Sequence, residues 1–257
     1  MYWMLRVHGV SDQGRVRSNN EDCFSSVEDV QFCVVADGMG GHNAGEIAAR
    51  LAVDTLVECI RDSHDSCDTW PFGIDPSLSD AGNRLRTAIH FANMRIFEAS
   101  IGSTEYSGMG TTIVAAIVQG DRLTVGHVGD SRLYLLRDGR LRPMTRDDTW
   151  VVAVLAKDPT VDPAVVRRHP WRHALTNVVG TRKQIIVHVT EESLADQDVL
   201  LLTTDGVHGT LDDERIEELM AQIGDERELA GALVAAALAH GSRDNCTALV
   251  ARHLAEK

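Results

Sequence analysis

Two apolar runs in this chain end in the same dipeptide, and that repeated ending narrows the folds open to it. Phe32-Cys33-Val34-Val35-Ala36 leads into Asp37-Gly38, followed by Met39-Gly40-Gly41-His42. Val199-Leu200-Leu201-Leu202-Thr203-Thr204 leads into Asp205-Gly206. A short uninterrupted apolar run closed by glycine reads as a strand buried on both faces. Such a strand needs a covering layer on each side. A carboxylate at its end is held rigidly at the rim of the core, and the glycine after it lets backbone approach an ion or ligand and exposes a carbonyl. One Asp-Gly is also an ordinary turn signal. Two of them, joined by further acidic motifs, point to carboxylates converging on a divalent metal.

The elements around these strands are segregated rather than strictly alternating. Leu5 to Val10 and Cys23 to Val27 read as short strands flanking a polar loop, Ser11 to Asp22. Ala44 to Arg61 places Ile47, Leu51, Leu56 and Ile60 at helical spacing, and Leu78 to Ile101 repeats the pattern through Leu85, Ile89, Met94 and Ile96. Strand-like runs follow at Thr111 to Val118, Arg122 to Val128 and Arg132 to Arg137, with Asp121 and Asp138-Gly139 as turn signals. Thr145 to Val179 is irregular and mixed. Ile185 to Val189 and Val199 to Thr203 return to strand character. Ile216 to Ile223 and Glu226 to His240 read as helices, and Thr247 to Val250 as a last strand. Two helices, several strands, two helices and a strand favour an α+β layered sandwich over an alternating parallel fold.

The 257 residues hold no proline- or serine-rich linker, low-complexity tract or tandem repeat, so a single domain over 1–257 is expected. Ser63 to Ser79 reads as a loop between helices. A formal net charge of −13 argues against general nucleic-acid or anionic-membrane binding. It also repels any anionic substrate, unless bound cations invert the sign locally. Cys23, Cys33, Cys59, Cys67 and Cys246 are odd in number and lack a Cys-x-x-Cys, so buried free thiols in a reducing compartment are expected. The N-terminus lacks the apolar core of a signal peptide, and no apolar run approaches membrane-spanning length. A cytoplasmic location is expected.

The motifs stand in a definite order. Ser11-Asp12-Gln13-Gly14-Arg15-Val16-Arg17-Ser18-Asn19-Asn20-Glu21-Asp22 comes first, then Asp37-Gly38-Met39-Gly40-Gly41-His42 and Gly108-Met109-Gly110-Thr111-Thr112. Val128-Gly129-Asp130-Ser131-Arg132, Asp205-Gly206 and Gly241-Ser242-Arg243-Asp244-Asn245 complete the series. Together, from Asp12 to about Val250, they resemble the bacterial metal-dependent Ser/Thr protein phosphatases of type 2C, the PPM family. The resemblance implies a four-layer α-β-β-α sandwich of two antiparallel sheets flanked by helices, with a two-metal centre between the sheets. It implies that Asp37 bridges both metals and that the Gly38 carbonyl binds one. Asp205 and Asp244 would complete the other, with Glu21 and Asp22 acting directly or through waters. Arg17 matches the arginine that holds the substrate phosphate, Asp130 the ligand of a third, looser metal, and His42 the general acid. By position, His173 adds a backbone carbonyl to the third site. The stretch at about 146–180 corresponds to a flap beside the active site, and here carries Arg167-Arg168-His169-Pro170-Trp171-Arg172-His173, a basic-aromatic cluster in an acidic chain.

The residue chemistry agrees independently. Carboxylates, a carbonyl and water are hard oxygen donors suited to Mn²⁺ or Mg²⁺, and the motifs supply no thiolate or multi-histidine set for zinc. Two such ions about 3.5–4 Å apart can bridge a hydroxide and aim it in line at phosphorus. A guanidinium fork can bind two non-bridging phosphate oxygens, and a histidine can protonate the leaving oxygen. The expected activity is hydrolysis of phosphoserine and phosphothreonine in proteins by a metal-bridging hydroxide, reversing bacterial Ser/Thr kinase signalling. Phosphorylated proteins, a Ser/Thr kinase among them, are the expected partners. With no anchor or sensor segment after the last motif, regulation is expected from partners, metal or the flap. The alternatives are a catalytically silent phosphoprotein-binding module on the same fold and a small-molecule phosphatase. Val207-His208-Gly209-Thr210 departs from the family's usual polar and acidic continuation of the second Asp-Gly and predicts altered local packing or substrate access.

Overall fold

The structure is a computed structural model, and it describes residues 2–41, 43–62, 70–158 and 160–256. In chain order the elements are β1 (Tyr2–Asp12), β2 (Asp22–Val27), a 3₁₀ turn (Glu28–Val30), β3 (Phe32–Met39), α1 (Ala44–Asp62) and α2 (Asp80–Gly102). Then come β4 (Gly110–Thr111), β5 (Ile113–Gln119), β6 (Arg122–Val128), β7 (Arg132–Arg137), β8 (Arg140–Pro143), α3 (Trp150–Lys157) and α4 (Pro163–Arg167). The chain closes with β9 (His188–Ser193), β10 (Val199–Thr203), α5 (Asp205–His208), α6 (Asp213–Gln222), α7 (Glu226–Ala239) and β11 (Cys246–Glu256).

One sheet runs β1-β11-β10-β7-β8 and the other β2-β3-β5-β6-β9, with β4 added to β3. Every neighbouring pair is antiparallel. The period of two along a strand explains the layering. On β3, Val34 and Ala36 join Leu56, Leu85 and Ile89 of α1 and α2, while Cys33 and Val35 face the other sheet. On β10, Val199 and Leu201 join Leu219, Leu229 and Leu233 of α6 and α7, while Leu200 and Leu202 meet Val35, Val114 and Leu249 between the sheets. Both Asp-Gly strands are therefore central and covered on two faces, giving the four layers α-β-β-α. Each fully buried Leu or Val contributes roughly 1.5–3 kcal/mol.

Polar contacts fix the helices to the sheets. The Ser79 hydroxyl caps α2 by accepting from Gly82 N at 3.1 Å, and Ser79 also bonds Glu191 of β9. Buried Glu226, the first residue of α7, accepts from Arg6 of β1 at 3.0 Å and from Arg252 of β11 at 2.6 Å. Cys33 and Cys246 are buried free thiols. Cys67 and the rest of residues 63–69 lie outside the described residues, and the described remainder, 70–79, leads into α2 without helix or strand.

Several boundaries differ from the sequence expectation. β1 and β11 pair along their whole length, from Tyr2↔Glu256 to Asp12↔Cys246, well beyond Leu5–Val10 and Thr247–Val250. Ser11 and Asp12 on β1 and Arg252 and His253 on β11 break the apolar pattern beyond those limits, yet ladder hydrogen bonds do not depend on side-chain polarity. The same reason hides β9, whose Thr190-Glu191-Glu192-Ser193 shifts the strand toward the C-terminus of the expected Ile185–Val189. Asp138 (φ 52°) and Gly139 (φ 74°) form the tight turn their identity suggests, and it leads into β8. The irregular stretch Thr145 to Val179 contains α3 and α4.

Leu200→Ala removes a side chain fully buried between the sheets. It is expected to lower unfolding stability by about 2–5 kcal/mol, read as a lower urea midpoint at unchanged slope.

Candidate active site

The sequence-selected carboxylates meet at one end of the sandwich. Asp37 on β3 stands opposite Asp22 on β2 in the sheet register. Asp205 starts α5 directly after β10, Asp244 precedes β11, Asp130 follows β6, and Glu21 precedes β2. A cleft of ≈ 400 Å³ is lined by Arg17, Glu21, Asp37, Gly38, Asp130, His173, Asp205 and Asp244. Asp22 is set beneath this floor rather than on it. Its Oδ2 accepts from Thr204 Oγ1 at 2.9 Å and Thr247 Oγ1 at 2.6 Å, while its buried Oδ1 has no protein partner. His42 lies outside the described residues.

The backbone that carries Asp37 is clamped by residues to which sequence reasoning assigned no role. Thr112 N and Thr111 Oγ1 donate to Asp37 O at 2.9 and 2.8 Å, and Asp37 N donates back to Thr112 Oγ1 at 3.1 Å. Gly38 N donates to Glu21 O at 3.0 Å. A Cβ on Gly38 would stand 2.1 Å from Gly45 O, so only glycine permits this approach of β3 to the start of α1. The Asn245 side chain accepts from Glu21 N and donates to Gln13 O and Asn19 O, stapling the Arg17 loop to the strand that follows Asp244. A threonine pair after glycines and an asparagine after aspartate were the available signals. They stand within the acidic and glycine motifs but carry no charge, so nothing in their own chemistry marks them in the sequence.

Crowding dominates the electrostatics. Burial first, then Asp22, Asp205, Asp130 and Asp244, raise the Asp37 carboxyl well above the usual range. Burial chiefly pushes Asp22 and Asp130 up to about 7. Asp205 is raised by burial and by Asp244. Burial also raises Glu21. The shared cause is crowded, buried negative charge, which divalent cations would offset. The orphan oxygen of Asp22 and the all-oxygen donor set fit hard cations such as Mn²⁺ or Mg²⁺. Among the described residues no group of three His, Cys, Asp or Glu side chains is arranged to hold an ion unaided. Backbone carbonyl and water oxygens would have to complete each shell.

Arg17 leans across the cleft to Asp244, with Nη2 2.6 Å from Oδ2, and that hydrogen bond chiefly raises its pKa. The two side chains are 49% and 34% exposed. An ion pair so open to solvent is worth about 0–1 kcal/mol, so the guanidinium is easily released to an incoming phosphate.

Comparison with known proteins follows the same lines. Residues 13–239 match the family Protein phosphatase 2C. The chain is 36% identical over 248 residues to the serine/threonine protein phosphatase PstP of Mycobacterium tuberculosis, covering 96% of this chain and 45% of that protein. It thus spans about half the length of this relative. It is 30% identical over 256 residues to the serine/threonine phosphatase stp of Listeria welshimeri, with 96% of each covered. Among solved structures it is similar to the catalytic domain of PstP in complex with 2 manganese ions, with a TM-score of 0.83, 33% identity, and coverage of 99% of this chain and 100% of that one.

Beside the cleft the chain makes an excursion from Thr149 to Thr176 that leaves and returns at one point. Thr149 bridges Leu175, and Trp150 N donates to Ala174 O at 2.8 Å. Within it Trp150 stacks on His169 at 4.3 Å and meets Trp171 edge-on. Asp148 clasps the two roots. Its backbone N donates to Gly129 O, and its carbonyl accepts from Thr176 N at 2.7 Å. Its carboxylate accepts from Gly129 N at 3.1 Å and Asn177 Nδ2 at 2.7 Å, and pairs with His188 Nε2 at 2.9 Å. Next to it Asp147 takes a two-point bond from Arg132, which also donates to Tyr134 OH, itself bonded to Asp213 of α6. Burial would push Asp148 up, but the bonds from His188, Gly129 and Asn177 outweigh it and hold the carboxyl below the ordinary range. The bond to Asp148 chiefly raises His188.

Asp148→Asn exchanges a charged acceptor for an amide, with a loss of about 1.5–3 kcal/mol. Trypsin cleavage at Arg167, Arg168 and Arg172 is expected to quicken about tenfold; unchanged cleavage would mean that the aromatic stack holds the excursion by itself. The raised His188 contributes stability fully below its unfolded pKa, and that part is lost as pH rises through its folded value. Cleavage of the wild type should therefore quicken above neutral pH, and His188→Gln should flatten that dependence.

Proposed function

Because the chain belongs to the protein phosphatase 2C family, we propose that it is a protein serine/threonine phosphatase that hydrolyses phosphoserine and phosphothreonine with Mn²⁺ or Mg²⁺. The observation that carries this reading is the convergence of Asp37, Asp130, Asp205 and Asp244 with Arg17 on one cleft. The relative whose catalytic domain was solved with manganese supports the choice of metal.

Asp37 and the Gly38 carbonyl would hold the ion pair, with Asp205 and Asp244 completing one shell and Glu21 contributing directly or through water. Asp130 would serve a third, looser ion, with His173 at the same cleft. Asp22, beneath the floor, offers its free Oδ1 from below through water. Ions held by these residues would supply Lewis-acid polarisation of the phosphoryl oxygens and a water-derived nucleophile at neutral pH. Arg17 exchanges Asp244 for two non-bridging phosphate oxygens and stabilises the charge that develops on them. Asp244 is thereby freed for a cation as the arginine leaves, so metal and phosphate reinforce each other at this residue. His42 is assigned the protonation of the leaving serine or threonine oxygen.

The chain acts as one catalytic domain over 1–257 with a flap at about 146–180, in the cytoplasm, on phosphorylated proteins that include a Ser/Thr kinase. No described helix is long and apolar enough to cross a membrane. The full carboxylate set favours catalysis over a silent binding module, since a module that only binds has no use for so costly a cluster of like charges.

Metal-stripped protein is expected to release no phosphate from a phosphothreonine peptide until Mn²⁺ is restored; release that persists without metal would overturn the metal assignment. Asp37→Ala should abolish turnover, and near-normal phosphate release by that variant would remove Asp37 from the centre. Arg17→Ala should chiefly raise KM for the peptide; a fall in kcat at constant KM would place its contribution in the transition state alone.

A further inference from the structure

Next to the catalytic cleft lies a groove of ≈ 940 Å³, more than twice the cleft's ≈ 400 Å³, that the hydrolytic roles leave unused. Cleft and groove share Asp130, His173, Asp205 and Asp244, so the groove opens directly onto the phosphate site. One wall is α3, through Val151, Val152 and Leu155. The helix reads Trp-Val-Val-Ala-Val-Leu-Ala-Lys, yet none of its residues is fully buried. A helix so uniformly apolar normally lies inside a core, whereas here the aliphatic side chains that line the groove stay half-exposed. The groove also carries Arg172 and Arg243, both exposed. Neither makes an ion pair among the described residues.

We propose that this groove receives the polypeptide flanking the phosphorylated residue, with an aliphatic side chain against Val152 and Leu155 and an acidic side chain on Arg172 or Arg243. The inference rests on the phosphatase reading and adds a preference to it. Continuity with the cleft gives a chain extending from a bound phosphoresidue a path along this surface. Charge favours an acidic side chain at the outer end: Arg172 and Arg243 are exposed there with no ion pair among the described residues, whereas Asp130, Asp205 and Asp244 lie at the end shared with the cleft, where bound cations would offset them, and Asp147 is taken by Arg132. The root clasp at Asp148 fixes where α3 stands, so the aliphatic wall is preset rather than formed on binding.

Two phosphothreonine peptides, identical except for Leu and Glu or Ser and Gly beside the phosphoresidue, test this against p-nitrophenyl phosphate, which has no flanks. The Leu/Glu peptide is expected to show a kcat/KM about tenfold higher, the scale of one apolar contact. Val152→Asp and Arg172→Glu should each shrink that ratio toward one. Equal values for the two peptides in the wild type, or a preference untouched by both substitutions, overturns the groove. Hydrolysis of p-nitrophenyl phosphate reports on the phosphatase reading alone. The groove is read without turnover from the anisotropy of fluorescein-labelled peptides bearing a non-hydrolysable phosphonate. Tighter binding of the Leu/Glu form, lost in Val152→Asp, sustains it; equal Kd values overturn it.

Discussion

Mutual repulsion among carboxylates is the constraint around which the rest of the molecule is arranged. Asp22, Asp37, Asp130 and Asp205 raise one another's proton affinity or have it raised by burial, and an unheld backbone would let them move apart into water. The fold prevents this by attaching each to a strand or helix end whose own hydrogen bonds are made elsewhere. Asp37 belongs to a strand paired on both edges, Asp205 to the exit of another, and Asp244 to the entry of a third. The two sheets are the frame, and the layers of helices outside them make that frame rigid enough to hold like charges together.

Neutral groups do most of the holding. Thr111 and Thr112 fix the backbone of Asp37, Thr204 and Thr247 share one oxygen of Asp22, and Asn245 ties the arginine loop to the strand after Asp244. None of these adds charge, which suits a site whose sign is to be set by cations. Arg17 is the exception among the groups at the rim, and its partner Asp244 is one-third exposed.

The charged part of this arrangement was legible in the sequence because strand ends, acidic residues and glycines are local signals. Both doubly covered strands, Phe32–Met39 and Val199–Thr203, lie where their apolar runs place them. The strands at the polar sheet edge were not legible at full length, since Glu191 and Glu192 obey ladder geometry while breaking the hydrophobic pattern. Asp148 was invisible for a different reason. Its six bonds join residues 129, 176, 177 and 188, and such a meeting exists only once the chain has folded. The short helix at Asp205–His208 likewise follows from tertiary placement, with His208 buried and held neutral by burial and by Arg132.

The excursion from Thr149 to Thr176 departs and re-enters through a single rung, and among the described residues its hydrogen bonds to the rest of the chain lie at that rung and the adjoining Asp148. Closing a loop of fixed ends costs only slowly more as it lengthens. Its interior can therefore be lengthened, shortened or exchanged for another sequence without displacing a carboxylate of the floor. A graft between relatives that replaces the interior of the excursion but keeps His173, Ala174 and Leu175, which line the cleft, would exchange the outer surface as a cartridge and leave the floor in place.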